Sequence, residues 1–246
     1  MPLCDVAIAI TSLWRHGYLL ACLDGIAKNL PEVSVIVADD SDTDLCASIA
    51  GPDCIRMKFD SGLPAKRNAI VDACQKPLLL LACDDFDFST PEARQGIEKM
   101  VKVLDENPDV DVAGGHVDGL SYEGYLEYVP GEYVRETRLV PDGTPFQRCD
   151  LTVNYFLART DKIVAWDVRM KIGGEHFDWF WQMRQAGCKI VWVSGVNVNT
   201  LQLGTSTNVQ DPRYGGFRRR AINLGHPLMK KQYNIKDYIS FDGGIS

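Results

Sequence analysis

The chain has 246 residues, 46% of them hydrophobic, and a formal net charge of −7. That length buries one substantial core or two small ones, and that apolar fraction excludes disorder as the default. The negative balance excludes a protein held to nucleic acid by an overall positive field.

Met1 to Ile10 carries Asp5 and no basic leader, so it does not read as a signal peptide. Val6 to Thr11 reads instead as a short buried strand, and Tyr18 to Asn29 as a helix ended by Pro31. Val33 to Ala38 is a second buried strand, running into an acidic turn, DDSDTD, able to cap a following helix. Cys54 to Phe59 is a weak strand, Ser61 to Pro64 a turn, and Ala65 to Cys74 a helix. Leu78 to Cys83 is a strong strand ending in DDFDF. Polar residues gathered just beyond strand C-termini are the pattern of an α/β fold, an open and mostly parallel sheet that binds ligands at those ends.

Thr90-Pro91-Glu92 supplies N-cap, first helical position and first-turn acid for a helix reaching Asn107. Val110 to Val117 is another strand, and Asp118 to Arg148 an antiparallel excursion or loop. Thr152 to Arg159 returns to the core, Phe177 to Ala186 is a helix, and Lys189 to Ser194 a strand. The chain closes in a basic segment. Between Asp211 and Ser240 stand seven basic residues (Arg213, Arg218, Arg219, Arg220, Lys230, Lys231, Lys236) against two acidic ones, a local excess of +5 that leaves −12 to the rest. No repeat interrupts this order, so 1–246 is expected to be one domain: a nucleotide-binding half (1–110), an acceptor-side half (111–210) and the basic segment (211–246). No stretch approaches the roughly 20 apolar residues of a membrane helix, and no membrane insertion is expected. The eight cysteines stand singly without a CxxC pair, and are expected to be reduced, mostly buried thiols of a cytoplasmic protein.

The strongest chemical signal is Asp84, Asp85 and Asp87, three carboxylates in four residues after the most apolar strand. Packed carboxylates repel one another unless a cation neutralises them, and hard oxygen ligands suit Mg²⁺ or Mn²⁺. A solvated turn capping the helix at Pro91 is the bland alternative. Lys66 and Arg67 stand in the first turn of a helix, a place unfavourable to cations unless an anion neutralises them.

With these motifs in this order, the chain resembles the GT-A glycosyltransferases over roughly residues 5 to 200. The likeness is strongest to glycosyltransferase family 2 and to the related N-acetylgalactosaminyltransferases of ganglioside sugars. It implies a GT-A (Rossmann-like) sheet, a nucleotide-sugar donor of the UDP type, and a divalent ion. Asp40 in the turn Val37-Ala38-Asp39-Asp40-Ser41 takes by resemblance the family's uracil contact, Thr11 a nucleoside contact, and Arg15 flanks the same pocket. Gly62 to Asn68 resembles the G-x-x-x-x-R-N helix start, which gives Lys66, Arg67 and Asn68 to the donor. In DDFD the resemblance makes Asp85 the first metal ligand, Asp87 a weaker one, and Asp84 a ligand of ribose or metal.

Gly173 to Trp181 (GGEHFDWFW) resembles the family's acidic acceptor-side motif, in which a carboxylate deprotonates the acceptor hydroxyl for in-line displacement of the nucleoside diphosphate. Asp178 is favoured narrowly over Glu175 and His176, the last standing where many members place the catalytic Asp. Trp179 and Trp181 read either as core or as sugar platforms. After the strand VWVSGV, where many members offer a metal-binding histidine, stand Asn197, Asn199 and Gln202. The acceptor stays open between a small molecule, a glycan, and a polyanion such as hydroxymethylated DNA, toward which the basic segment leans. A nucleotidyltransferase and a non-catalytic carbohydrate-binding protein on the same scaffold are the alternatives. The first lacks its glycine-rich loop after the opening strand.

Overall fold

The computed structural model describes residues 1–49, 51–204 and 206–241, the side chains of 220–224 excepted. In chain order the strands and α-helices are β1 (Val6–Ser12), α1 (His16–Asn29), β2 (Ser34–Asp39), β3 (Asp53–Arg56), α2 (Leu63–Ala73), β4 (Leu78–Cys83), β5 (Phe86–Asp87), α3 (Pro91–Glu106), β6 (Val112–Val117), β7 (Gly124–Val129), β8 (Tyr133–Arg138), β9 (Phe146–Cys149), β10 (Phe156–Arg159), α4 (Glu175–Gln185), β11 (Ile190–Thr200), α5 (Tyr214–Gln232) and β12 (Asp237–Ile239).

β1 is buried along its whole length because it lies between β2 and β4, parallel to both, with Ile8 opposite Val35 on one side and Leu80 on the other. Its alternating side chains serve both faces of the sheet. Ile8, Ile10 and Leu80 pack with Leu19 and Ile26 of α1 and Ile97 and Met100 of α3. Ala7, Ala9, Leu79 and Leu81 pack with Ile70 of α2 and Phe177, Trp179 and Phe180 of α4. Each fully buried side chain of this kind stabilises the fold by about 1.5–3 kcal/mol. The main sheet runs β3-β2-β1-β4-β10-β6-β11-β5, with β9 added beside β11, and a second sheet runs β12-β8-β7. β10 is antiparallel to both β4 and β6. The expected open, mostly parallel sheet with an antiparallel excursion is what forms.

Three local expectations are corrected. The acidic turn after β2 caps no α-helix, since a 3₁₀ turn at Cys46–Ser48 leads directly into β3. β11 does not stop at Ser194: its pairing with β6 lapses after Trp192 and resumes at Asn197, around Gly195 at φ 68°. Cys46 and Cys54 are joined in a disulfide, because the parallel pairing of β3 with β2 folds the intervening loop back on itself. The other six cysteines are free, and burial raises the thiols of Cys22, Cys149 and Cys83, the last to about 12. No helix among the described residues is long and apolar enough to cross a membrane.

Candidate active site

The ends of β1, β2 and β4 point the same way, so the polar residues that stop each apolar run converge at one edge of the sheet. There a cleft is lined by Thr11, Arg15, Asp40, Lys66, Arg67, Asp84 and Asp85 from the first half of the chain. Asn154, Lys171, Ile172 and Glu175 line it from the second half, and Tyr214, Phe217 and Arg218 from α5.

Asp40 is buried and fixed at both oxygens: Lys66 Nζ donates to Oδ1 at 2.5 Å and the Gly62 amide to Oδ2 at 2.9 Å. Lys66 also donates to the Ser12 carbonyl at 2.9 Å. Gly62 reaches this position at φ 88°, and a Cβ there would lie 2.9 Å from Lys171, so the turn before α2 requires glycine. Asp84 is buried; its Oδ2 accepts from Ser12 Oγ at 2.8 Å and its Oδ1 from Arg15 Nη1 at 2.7 Å. Burial lifts its pKa to about 6 against the opposing pull of Arg15. Arg15 Nη2 donates to Asp85 Oδ2 at 2.9 Å, while Asp85 Oδ1 has no protein partner among the described residues. The guanidinium lies 4.3 Å from the Tyr18 ring and 5.3 Å from the Tyr214 ring. Burial pulls its pKa down, and the two aspartates more than offset that, leaving it raised.

Arg67 is 4% exposed and forms no ion pair among the described residues. Its guanidinium stands 5.5 Å from the Trp166 ring; burial lowers its pKa, with Glu175 the largest opposing charge. Glu175 is 6% exposed and accepts no side-chain hydrogen bond among the described residues. It opens α4, where the helix dipole favours a carboxylate.

The other sequence candidates lie off the cleft lining. Asn68 exchanges two hydrogen bonds with the backbone of Trp166, at 2.9 and 2.8 Å, and so braces the segment before α4. Asp87 turns back to its own chain, accepting from the Ser89 amide at 2.9 Å and hydroxyl at 2.6 Å. Asp178 is fully buried and accepts from Gln182 at 2.7 Å, Gln232 at 3.1 Å and the Tyr233 hydroxyl. Burial raises its pKa, opposed by Tyr233 and Gln182. His176 Nδ1 meets Asn154 Oδ1 at 2.9 Å, its ring packs on Tyr122 and Phe180, and its Nε2 has no hydrogen-bond partner among the described residues. Burial and then Arg67 push its pKa down to about 3. Trp179 is core, stacked between Phe156 and Trp166 with its Nε1 on the Val164 carbonyl, and Trp181 packs on Tyr128. Asn197 accepts from the Gly119 amide and donates to Asn199, and Gln202 bonds Thr200; none of the three lines the cleft.

Sequence reasoning passed over Tyr214 and Phe217, whose spacing with Arg218 puts all three on one face of α5. It also passed over what holds that helix. α5 crosses the Gly173-Gly174 turn at Gly225, where a Cβ would fall 1.6 Å from the Gly173 carbonyl oxygen. At the other end Trp14, at φ 57°, accepts the Asp211 amide and donates its Nε1 to Asp42, while Arg213 pairs with Asp42 at 2.7 Å. Of the basic segment, Arg213 is thus committed to carboxylates, Arg218 faces the cleft, and the side chain of Arg220 lies outside the described residues.

Residues 8–154 match the family described as glycosyl transferase family 2. Human beta-1,4 N-acetylgalactosaminyltransferase 1 is 34% identical over 183 residues, 67% of this chain and 33% of that protein. Mouse beta-1,4 N-acetylgalactosaminyltransferase 2 is 34% identical over 167 residues, 64% of this chain and 32% of that protein. The chain therefore spans about a third of the length of these curated relatives. Among solved structures, GalNAc-T7 with UDP, GalNAc and Mn²⁺ superposes at a TM-score of 0.62 with 14% identity, over 96% of this chain and 55% of that one. S. aureus TarS 1–349 in complex with UDP superposes at 0.55 with 15% identity, over 89% and 64%. At that identity the likeness carries the fold, and the fold is the GT-A arrangement.

Proposed function

Because this chain belongs to glycosyl transferase family 2, we propose that it transfers a sugar from a UDP-sugar to a hydroxyl of a glycan acceptor, with inversion and with help from a divalent ion. The observation that carries the proposal is one cleft lined by Asp40, Asp84, Asp85, Arg67 and Glu175, residues drawn from four separate stretches of sequence. The names of the relatives, and the UDP, GalNAc and Mn²⁺ of the GalNAc-T7 structure, make UDP-N-acetylgalactosamine the first donor to test.

Asp40 has one hydrogen bond on each oxygen and so keeps acceptor capacity for a nucleobase N–H, with Thr11 beside it. Arg67 and Arg218 are cleft cations without a carboxylate partner among the described residues, and suit the diphosphate. The ion fits this donor set through hard carboxylate oxygens. Asp85 would hold it through its unpartnered oxygen and Asp84 would follow, whereas Asp87 does not line the cleft. Once bound, such an ion stabilises charge on the departing diphosphate. Glu175 takes the role of general base in place of Asp178, because its carboxylate opens on the cleft while that of Asp178 is spent on α5. His176 is too weakly basic for the task, being held neutral with a pKa of about 3. A glycan is favoured over DNA because the relatives named above are N-acetylgalactosaminyltransferases and, of the basic segment, Arg213 is held by Asp42 and Asp211 while Arg218 lines the cleft.

The test is a thermal-shift screen of UDP-, GDP- and TDP-sugars with Mn²⁺ or Mg²⁺, followed by NMR of the product's anomeric proton. UDP-sugars should raise the melting temperature, and Asp85→Ala should remove the ion-dependent part of the rise. A chain that no nucleoside diphosphate stabilises under any ion is not this transferase.

A further inference from the structure

Arg15 spans the two carboxylates on which the proposed divalent ion depends. Its Nη1 and Nη2 bond Asp84 Oδ1 and Asp85 Oδ2 at 2.7 and 2.9 Å, and Ser12 takes Asp84 Oδ2. Of the four carboxylate oxygens, only Asp85 Oδ1 is without a protein partner among the described residues. A hard cation seeks several oxygen ligands. Asp84 Oδ1 and Asp85 Oδ2 each keep a lone pair beside their hydrogen bond, but the positive guanidinium stands against both and repels a divalent ion that approaches them. The fork is the more accessible holder: Asp85 and Arg15 keep 24% and 11% side-chain exposure, whereas Ser12 is buried.

The guanidinium is also built to remain after it is displaced. Tyr18 and Tyr214 keep it in the cleft by cation–π contact, and its Nε is a buried donor with no partner among the described residues. We infer that Arg15 is the resident counter-ion of the Asp84–Asp85 pair, that a divalent ion binds by displacing its fork, and that the freed guanidinium then serves the anionic diphosphate. Arg15 is in this sense a positioning residue that couples ion binding to nucleotide binding. The inference rests on the ion-assisted reading given above.

The experiment follows free Mn²⁺ by its electron paramagnetic resonance signal as Mn²⁺ is titrated into the full chain, with and without UDP. Removing any positive charge would favour a cation, so the informative variants conserve charge. Arg15→Lys keeps the charge and loses the planar fork; Tyr214→Leu removes one aromatic wall. Arg15→Lys should tighten Mn²⁺ binding without nucleotide by about tenfold, the scale of a charge-assisted hydrogen bond no longer lost. Tyr214→Leu should tighten it by less, and UDP should improve Mn²⁺ affinity more in the unaltered protein than in Arg15→Lys. Circular dichroism and melting temperature establish that each variant is folded, and Tyr214→Leu serves alone if Arg15→Lys is not. The inference is overturned if Mn²⁺ affinity is the same in the unaltered protein and the folded variants, if it is weaker in them, or if no Mn²⁺ binds at all. UDP binding in an ion-free buffer would keep the transferase reading in each of those cases, so the two failures are separable.

Discussion

The two halves of the cleft are built on different logic. On the side built by the strand ends the aspartates follow an apolar strand by one or two positions, and they arrive already paired: Asp40 with Lys66, Asp84 and Asp85 with Arg15. On the opposite side two carboxylates three residues apart on one helix have separate fates. Glu175 faces the cleft without a side-chain hydrogen bond among the described residues, while Asp178 is folded into a network with Gln182, Gln232 and Tyr233. A strand end delivers its residues to a site by topology alone, whereas a helix face delivers them according to what packs against it. Here α5 makes that choice.

Exchanging the two carboxylates for amides breaks or sharpens this comparison most directly. Glu175→Gln should lower the transfer rate by about 10³-fold, within the range of a lost general base, and leave UDP binding intact by calorimetry. Asp178→Asn should cost less than about tenfold in rate and lower stability by about 1–2 kcal/mol in urea unfolding, as its bonds to α5 weaken. The reverse order of rates would return the base to Asp178. On the donor side, Lys66→Met leaves Asp40 buried without its cation, and should destabilise the protein by about 3–5 kcal/mol. A smaller loss would mean that the paired charges are not what holds that half together.

A smaller effect is expected from Cys46→Ser, which opens a bridge between residues eight apart in sequence beside the Asp40 turn. The constraint it places on the unfolded chain is worth about 2 kcal/mol, readable as a lower melting temperature that dithiothreitol reproduces in the unaltered protein. Such a bridge persists in an oxidising compartment. The last effect concerns acid. The pKa of His176 is about 3 in the folded chain and 6.5 in an exposed histidine. Below pH 6.5 the unfolded chain therefore takes up a proton that the folded chain refuses, and stability falls by at most about 1.4 kcal/mol per pH unit down to pH 3. His176→Gln should flatten that slope in unfolding measured between pH 7 and 5.

What the sequence determined by itself is the donor half. Apolar runs such as VAIAIT and LLLLAC form buried strands almost regardless of context, and the polar residues that end them must then stand at the sheet's edge. Asp40, Lys66, Arg67, Asp84 and Asp85 were accordingly legible before any coordinates. Three matters were decided only by the tertiary structure. The use of Asn68 on Trp166, the burial of Asp178 against α5 and the closure of Cys46 onto Cys54 each depend on a partner distant in sequence or on a chain reversal. Composition and spacing report which groups a chain carries and which faces they share. Which of two neighbouring carboxylates meets a ligand depends on the packing free energy of segments far along the chain, and no local pattern encodes that.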